Sequence, residues 1–413
     1  MEKRRKRNIA RPESMGRVNE GIVLQEIRLN GLISRAKIAQ ETGLSKPSVS
    51  RAVEVLLKEN LIFEEDPPLN YAEIGRKPVL LRLNTKAGYF ESIDIGGTKL
   101  TFGLSDLFGE LLQIYSFKNP GSWEKIVKLI SSKARETLKK AGISFEKLKG
   151  IGIAAQGVVD LSKGIVSSAP NISGMDEYPL RGELESSLSV PVWVENDVNL
   201  AAIGEYWEEK QNYENMVYIS LGTVIGGAII LNGQLFHGTN YYAGEVGWLI
   251  TDKSLLFKDL SKYGCLENLA TGPALTKKAK KMIEEGLYKD NLFFSSDDMS
   301  PKAIFKAYRE GSNLAKQIVK QWIEDLGIAI SNISSLLNPE LVILSGGLTR
   351  SGGFFLNELK KVVSWGTQKR PEIKISNLQN KAPLYGGLKL CLDNYMDSLF
   401  LEEQEEKNKF RQR

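Results

Sequence analysis

The feature that most narrows the folds open to this chain is a glycine-bent hairpin written twice. "GYFESIDIGGTKLTFGLSDLFGELL", from Gly88, reads strand, turn, strand, turn, strand. "VYISLGTVIGGAIILNGQLFHG", Val217 to Gly238, repeats the pattern, with a hydroxyl just after the first strand in each copy, Thr98 and Thr223. Glycine turns expose backbone N–H groups that no side chain obstructs, which suits them to phosphate oxygens. Two such hairpins in one chain predict two α/β lobes facing each other across a cleft, with Asp94 near the phosphate or its metal.

The chain ahead of the first hairpin has a different character. Residues 1–60 carry 13 Lys+Arg against 7 Asp+Glu, whereas the whole chain carries 55 against 50, so the excess positive charge sits at the front. A basic head on a neutral body points to a nucleic-acid partner. "GRVNEGIVLQEIRLNG" predicts a helix with Val18, Ile22, Leu24, Ile27 and Leu29 mostly on one face, ended by Gly31. "SRAKIAQETG" follows with Ser34 as N-cap, and Gly43 suits a sharp turn. "LSKPSVSRAVEVLLKEN" opens with Ser45 as N-cap and Pro47 in the first turn, and Val49, Val53, Leu56 and Leu57 form its inward stripe. Ser45, Lys46, Ser48, Ser50 and Arg51 are left to reach DNA from the start of that helix, as in a helix-turn-helix. A plain three-helix packing unit fits the same pattern, and the charge favours the DNA reader. "LIFEED" and "KPVLLRLN" add the two strands of a wing, with Arg76 and Lys77 near its tip to touch phosphate or a narrow minor groove. The Lys3–Arg7 run adds sequence-independent affinity.

Several function classes fall away. His237 is the only histidine, so Ser-His-Asp triads and HExxH zinc sites lack material. Cys265 and Cys391 are too few for a disulfide framework. No apolar run reaches the roughly 18–20 residues of a membrane span, and no apolar segment follows the basic start as a secretory signal would, so a cytoplasmic protein is expected.

Between the hairpins, "VPVWVENDVNLAAIGEYW" ends a strand and begins a helix at Asn196-Asp197. A carboxylate at the cleft end of a strand suits a base that takes a proton from a bound hydroxyl, and Asn-Asp ahead of a helix suits an N-cap equally well.

The set "DIGGTK", "GIGIAAQGVVD", "SAPNISG", "VENDVNLAAIGE", "LGTVIGG", "AGEVGW", "GCLENLATG" and "LVILSGGL", in that order from about Tyr89 to Leu390, resembles the ROK family of bacterial repressors, open reading frames and sugar kinases. The resemblance implies an actin- and hexokinase-like body behind an α-helical winged helix-turn-helix head. The expected division is a basic arm at 1–14, the head at 15–85, a first lobe at 86–198 joined by a returning helix at 383–400, a second lobe at 199–382, and a charged tail at 401–413. By resemblance, Asn171, Asn196, Asp197, Glu245 and Glu267 ring the sugar hydroxyls, with Asp197 the base of any kinase reaction. Asp94, Gly96, Gly97 and Thr98 would form one phosphate loop, Gly222, Thr223, Gly226 and Gly227 the other, and Gly346 and Gly347 would border adenosine.

Three departures from the family pattern carry expectations. Relatives place a His and three Cys around a structural zinc. Here Trp248, Lys258 and Leu260 stand for three of those ligands and only Cys265 survives, so no zinc is expected. Trp248 is expected either to stack on a sugar or to fill core. Val224 replaces a loop glycine, which would weaken nucleotide binding if the position needs a positive φ. The expected function is a sugar-responsive repressor, homodimeric or larger, that binds operator DNA and needs no cofactor. The alternatives are an ATP- and Mg-dependent sugar kinase, or a DNA-associated protein without an effector.

Overall fold

The structure is a computed structural model that describes residues 12–67, 78–169, 172–210, 212–258, 260, 263–286, 298–351 and 353–411. The head opens with α1 (Pro12–Asn30), stopped by Gly31 at φ 72°. Its buried face is Val23, Leu24 and Ile27, whereas Val18, Ile22 and Leu29 are exposed. The expected stripe merged two faces: positions 18, 22 and 29 lie on one side of a 3.6-residue helix and 23, 24 and 27 on another. After β1 (Ile33–Ser34), Ser34 Oγ accepts the Lys37 N–H at 3.2 Å and starts α2 (Arg35–Thr42), which Gly43 closes at φ 71°. Ser45 Oγ accepts the Ser48 N–H at 3.3 Å to start α3 (Lys46–Lys58), with Pro47 in the first turn, where its missing N–H costs nothing. Strands β2 (Ile62–Glu65) and β3 (Leu80–Leu83) pair antiparallel, and β1 adds to β3 on the other side. Arg76 and Lys77, expected at the wing tip, lie outside the described residues.

The body begins with β4 (Tyr89–Ile95), β5 (Lys99–Asp106) and β6 (Leu111–Lys118), an antiparallel meander. Helix α4 (Trp123–Lys140) crosses over to β7 (Leu148–Ala155), which pairs parallel with β4. A small ribbon, β8 (Val158–Asp160) with β9 (Ile165–Ser167), and helix α5 (Leu180–Leu188) lead to β10 (Val192–Asn196), parallel to β7. The sheet order is β10-β7-β4-β5-β6. Helix α6 (Asp197–Glu208) connects to the second copy of the plan, β11 (Met216–Leu221), β12 (Ile225–Leu231) and β13 (Gln234–Leu235). Helices α7 (Cys265–Ala270), α8 (Gly272–Glu284), α9 (Pro301–Arg309) and α10 (Asn313–Leu337) precede β14 (Leu341–Ser345), α11 (Leu356–Gly366) and β15 (Glu372–Ile375). That sheet runs β13-β12-β11-β14-β15, the same order as the first read strand for strand. The sequence repeat is thus a repeat of topology.

Helix α12 (Ala382–Arg411) returns to lie across β4 and β7 and against α6. The two helices meet backbone to backbone: a Cβ on Gly204 would strike the Ala382 carbonyl, and one on Gly386 would strike the Leu200 carbonyl. The head is not a bead on a string. Val23, Leu24, Ile27, Val49 and Val53 share one buried cluster with Leu107, Phe108, Trp207, Leu388, Leu392 and Met396 of the body. Among the described residues no helix is long and apolar enough to cross a membrane.

Candidate functional site

The cleft between the sheets is built from strand ends. Asp94 sits near the end of β4, and Asp197 is the first residue of α6, straight after β10. Both are half-buried in a cavity of about 500 Å³ whose lining includes Gly96, Lys99, Tyr218, Ser220, Gly346 and Arg350. Burial, with Asp197 facing it, pushes the Asp94 carboxyl up to about 7 against the pull of Lys99. Burial pushes Asp197 up to about 6; the N–H groups that it accepts, Val198 at 3.0 Å included, pull it down and Glu245 pushes it further up. Glu245 is raised in turn by burial and by Glu267. Burial is the main cause of all three shifts, and neighbouring carboxylates add to it; such buried acids suit a polyhydroxyl ligand, because each hydroxyl can donate to a carboxylate and accept from a neighbour.

The other expected residues divide by what occupies their polar atoms. Asn196 is the N-cap: Oδ1 accepts from the N–H groups of Val198 at 2.9 Å and Asn199 at 3.1 Å, and Nδ2 donates to the Gly157 carbonyl at 2.9 Å. The capping reading of Asn196 thus holds, and the Asp197 carboxylate lines the cleft. Glu267 holds two backbone N–H groups, Ile225 at 2.9 Å on Oε1 and Gly264 at 3.1 Å on Oε2, and so pins the start of β12 to the start of α7. Asn171 lies outside the described residues. Trp248 is 58% exposed, which removes the reading that it fills core.

The glycine loops also separate. Gly96 needs its missing Cβ, which would sit 2.9 Å from the Lys99 carbonyl, while Gly97 and Thr98 stand exposed at the hairpin tip. Gly222, Thr223 and Gly347 line a second cavity, of about 1130 Å³, with Lys277, Lys280 and Lys281 on its wall. Gly226 and Gly227 belong to β12, where a Cβ would meet Val198 at 2.8 Å and the Gly244 carbonyl at 2.7 Å, so packing alone already requires glycine at both. Val224 is not among the residues with positive φ, so the expected backbone strain does not arise. Its side chain, 55% exposed at the loop tip, adds bulk only.

In the head, Ser45, Lys46 and Arg51 are exposed and Ser48 and Ser50 half-buried along the outer side of α3, with Ser45 and Ser48 hydroxyls 2.8 Å apart. The residues do not fit the family's zinc. Cys265 is buried with its thiol on the Asp252 carbonyl at 4.0 Å, and among the described residues no group of three His, Cys, Asp or Glu is placed to hold a metal.

Two contacts went unforeseen. His237 Nε2 lies 2.7 Å from Glu195 Oε2, and Glu195 Oε1 accepts the Asn196 N–H at 2.7 Å, so the lone histidine ties the second sheet's loop to the frame of the acid site. Glu205 on α6 accepts the Ser376 hydroxyl and the Leu378 N–H at 3.2 Å, fixing the connection from β15 to α12. A lone histidine was a visible signal for the first; nothing in the sequence marks the second.

Comparison with known proteins decides the family. The pattern described as ROK family matches residues 90–394, and one described as winged helix-turn-helix DNA-binding matches residues 22–62. The chain belongs to the ROK family. This ROK chain is 29% identical to a xylose repressor of Caldicellulosiruptor bescii over 92% of its own length and 96% of that relative's. It is 30% identical to the xylose repressor of Bacillus subtilis over 95% of its length and 99% of that protein's. A crystal structure of a ROK family transcriptional regulator, homolog of the E. coli MLC protein, superposes with a TM-score of 0.80 at 24% identity over 94% of this chain and 99% of that one, a likeness of fold that takes in the head.

Proposed function

We propose that this ROK chain represses transcription, reading operator DNA with α3 and releasing or engaging it according to whether a sugar occupies the cleft. The observation that carries the reading is the shared core: the recognition helix packs through α1 onto the same helices, α6 and α12, that form the cleft floor. Asp197 and Glu245, with Trp248 at the rim, form the sugar face, and Asn196, Glu195 and Glu267 position it. A homodimer presents two heads to two half-sites, and the chain divides into head, first lobe and second lobe, although the boundaries drawn at 14/15, 198/199 and 400/401 each fall inside a continuous helix, α1, α6 and α12. Because both repressor relatives are named for xylose, D-xylose is the first probe and D-glucose the second. Fluorescence anisotropy on an operator selected from random duplexes should shift with one of these sugars, and the same sugar should raise the melting temperature. If every sugar tried left both unchanged, the reading would fail.

A second reading rests on one observation, that Asp94 and Asp197 both face the cleft. The Asp197 carboxyl, pushed up to about 6 by burial, lines the cleft where it can take a proton from a bound hydroxyl. ATP with Mg, when bound, would supply the phosphoryl group, with Gly96, Lys99 and Thr223 beside it. The bulk of Val224 argues against strong nucleotide binding. A coupled assay giving about 1–100 turnovers per second, the ordinary kinase range, would reverse this preference.

A further inference from the structure

Helix α6 has its two ends in two different places. Its N-terminus is the acid site, Asn196 and Asp197. Ten residues on from Asp197, about 15 Å at the helical rise, Trp207 meets the head. The Arg28 guanidinium, from α1, stacks over the Trp207 ring with its carbon 4.2 Å from the centroid. Trp207 is 6% exposed, and its Nε1 is buried without a hydrogen-bond partner, so the ring is held by its faces rather than by its N–H. The β5–β6 turn closes on the outer edge of the six-membered ring: Gly109, at φ 84°, lies so close that any Cβ would enter the indole. Asp106, which accepts the N–H groups of Phe108 at 2.9 Å and Glu110 at 3.0 Å, fixes that turn and faces the Arg28 charge together with Glu208.

The rest of α6 is tied along its length. Glu205 holds Ser376 and Leu378, and Gly204 lies against the Ala382 carbonyl. By contrast, the seam beside Arg28 is not filled. A groove of about 560 Å³ runs between α1 and α12, lined by Val18, Ile22, Gln25, Phe108, Leu392 and Met396. A rod that starts at the ligand site and touches the head at its other end, beside an unfilled groove, can change how the head is seated on the shared cluster.

We infer that the Arg28–Trp207 stack is the joint through which occupancy of the cleft reaches the DNA-binding head, α6 acting as the rod. The inference rests on the sugar-repressor reading and adds the route and the residue. Arg28 here is a positioning residue, since it touches neither ligand. A stacked guanidinium follows the ring as α6 rotates; a flexible lysine ammonium keeps the charge but not the planar contact, and a methionine keeps the volume but not the charge. By reciprocity the sugar must change DNA affinity by the same factor as DNA changes sugar affinity, so one coupling factor describes both.

The test uses the full-length chain, Arg28→Met and Arg28→Lys, with the selected operator and D-xylose or D-glucose. Expected are sugar affinity without DNA and DNA affinity without sugar within about twofold of the parent, with the coupling factor of Arg28→Met lowered about fivefold or more, within the range such couplings span. Arg28→Lys should fall between. A coupling factor unchanged in Arg28→Met overturns the joint, and so does a parallel loss of both affinities, which a merely structural residue would give. If the parent chain responds to no sugar, the repressor reading fails and the joint is judged separately by hydrogen exchange. Operator binding should then still slow the amides of the last turn of α6 in the parent and not in Arg28→Met; equal slowing in both overturns it.

Discussion

At Asp197 the local electrostatics set a specific expectation. Asp197→Ala removes the carboxylate that faces the cleft but leaves the Asn196 cap in place, so DNA binding should persist while sugar-induced thermal stabilisation disappears. A thermal-shift titration beside an anisotropy titration checks both halves. Glu91 gives a test independent of any ligand. It is fully buried in β4, accepts the Thr137 hydroxyl on Oε1, leaves Oε2 without a partner, and is pushed up to about 8 by burial. The folded form therefore keeps a proton that the unfolded form loses above its usual value near 4.5. Stability should be full below pH 4.5 as far as this group is concerned, and should fall as pH rises toward 8, at about 1.4 kcal/mol per pH unit. Glu91→Gln should flatten that slope by a few kcal/mol between pH 5 and pH 8, read from urea midpoints at the two pH values. Single residues were legible in the sequence to different depths. Asp94 and Asp197 lie at strand ends that the hydrophobic pattern marks, so their meeting was foreseeable. The roles of Gly226 and Gly227 were not, because a glycine that admits a phosphate and one that admits Val198 or a carbonyl look alike in one dimension.

Among the elements, α3 was the most readable. Its cap, its proline and its buried stripe are local features, and Ser34, Ser45, Gly43 and Pro47 all act where local chemistry puts them. Arg51→Ala should abolish preference among operator sequences while leaving sugar-induced stabilisation intact, as seen by comparing specific with scrambled duplex at one salt concentration. Helix α1 was less readable because it carries apolar residues on two faces, one for its own head and one lining the groove beside α12. Only tertiary packing decides which face is inner. The corner around Cys265 shows the same limit. The lost zinc ligands were plain in the sequence, but the carboxylate of Glu267 bridging β12 to α7 was not, since its partners are backbone N–H groups 42 and 3 residues away.

For the whole molecule, duplication was the legible fact and the crossing of α6 with α12 was the hidden one. The repeated hairpin foretold two sheets, and they proved to share strand order. The crossing depends on Gly204 and Gly386, while Gly387 seats α12 against Ser92 of β4, and their spacing carries no message until the elements are brought together. Gly386→Ala would drive a methyl into the Leu200 carbonyl, so α12 must shift. The expected result is a loss of roughly 1–3 kcal/mol, the usual range for overpacking, with sugar response impaired even where DNA binding survives. Calorimetry with a paired anisotropy titration would show it.

The common cluster that joins Val23 and Ile27 to Phe108, Leu392 and Met396 has one more consequence. Heads of this kind are poor candidates for cut-and-paste engineering. A chimera made at residue 85 would strip an oily seat bare on the donor body and leave the transplanted helices facing a mismatched one. Exchanging operator specificity should therefore require grafting only the outer side of α3, with the seat kept native.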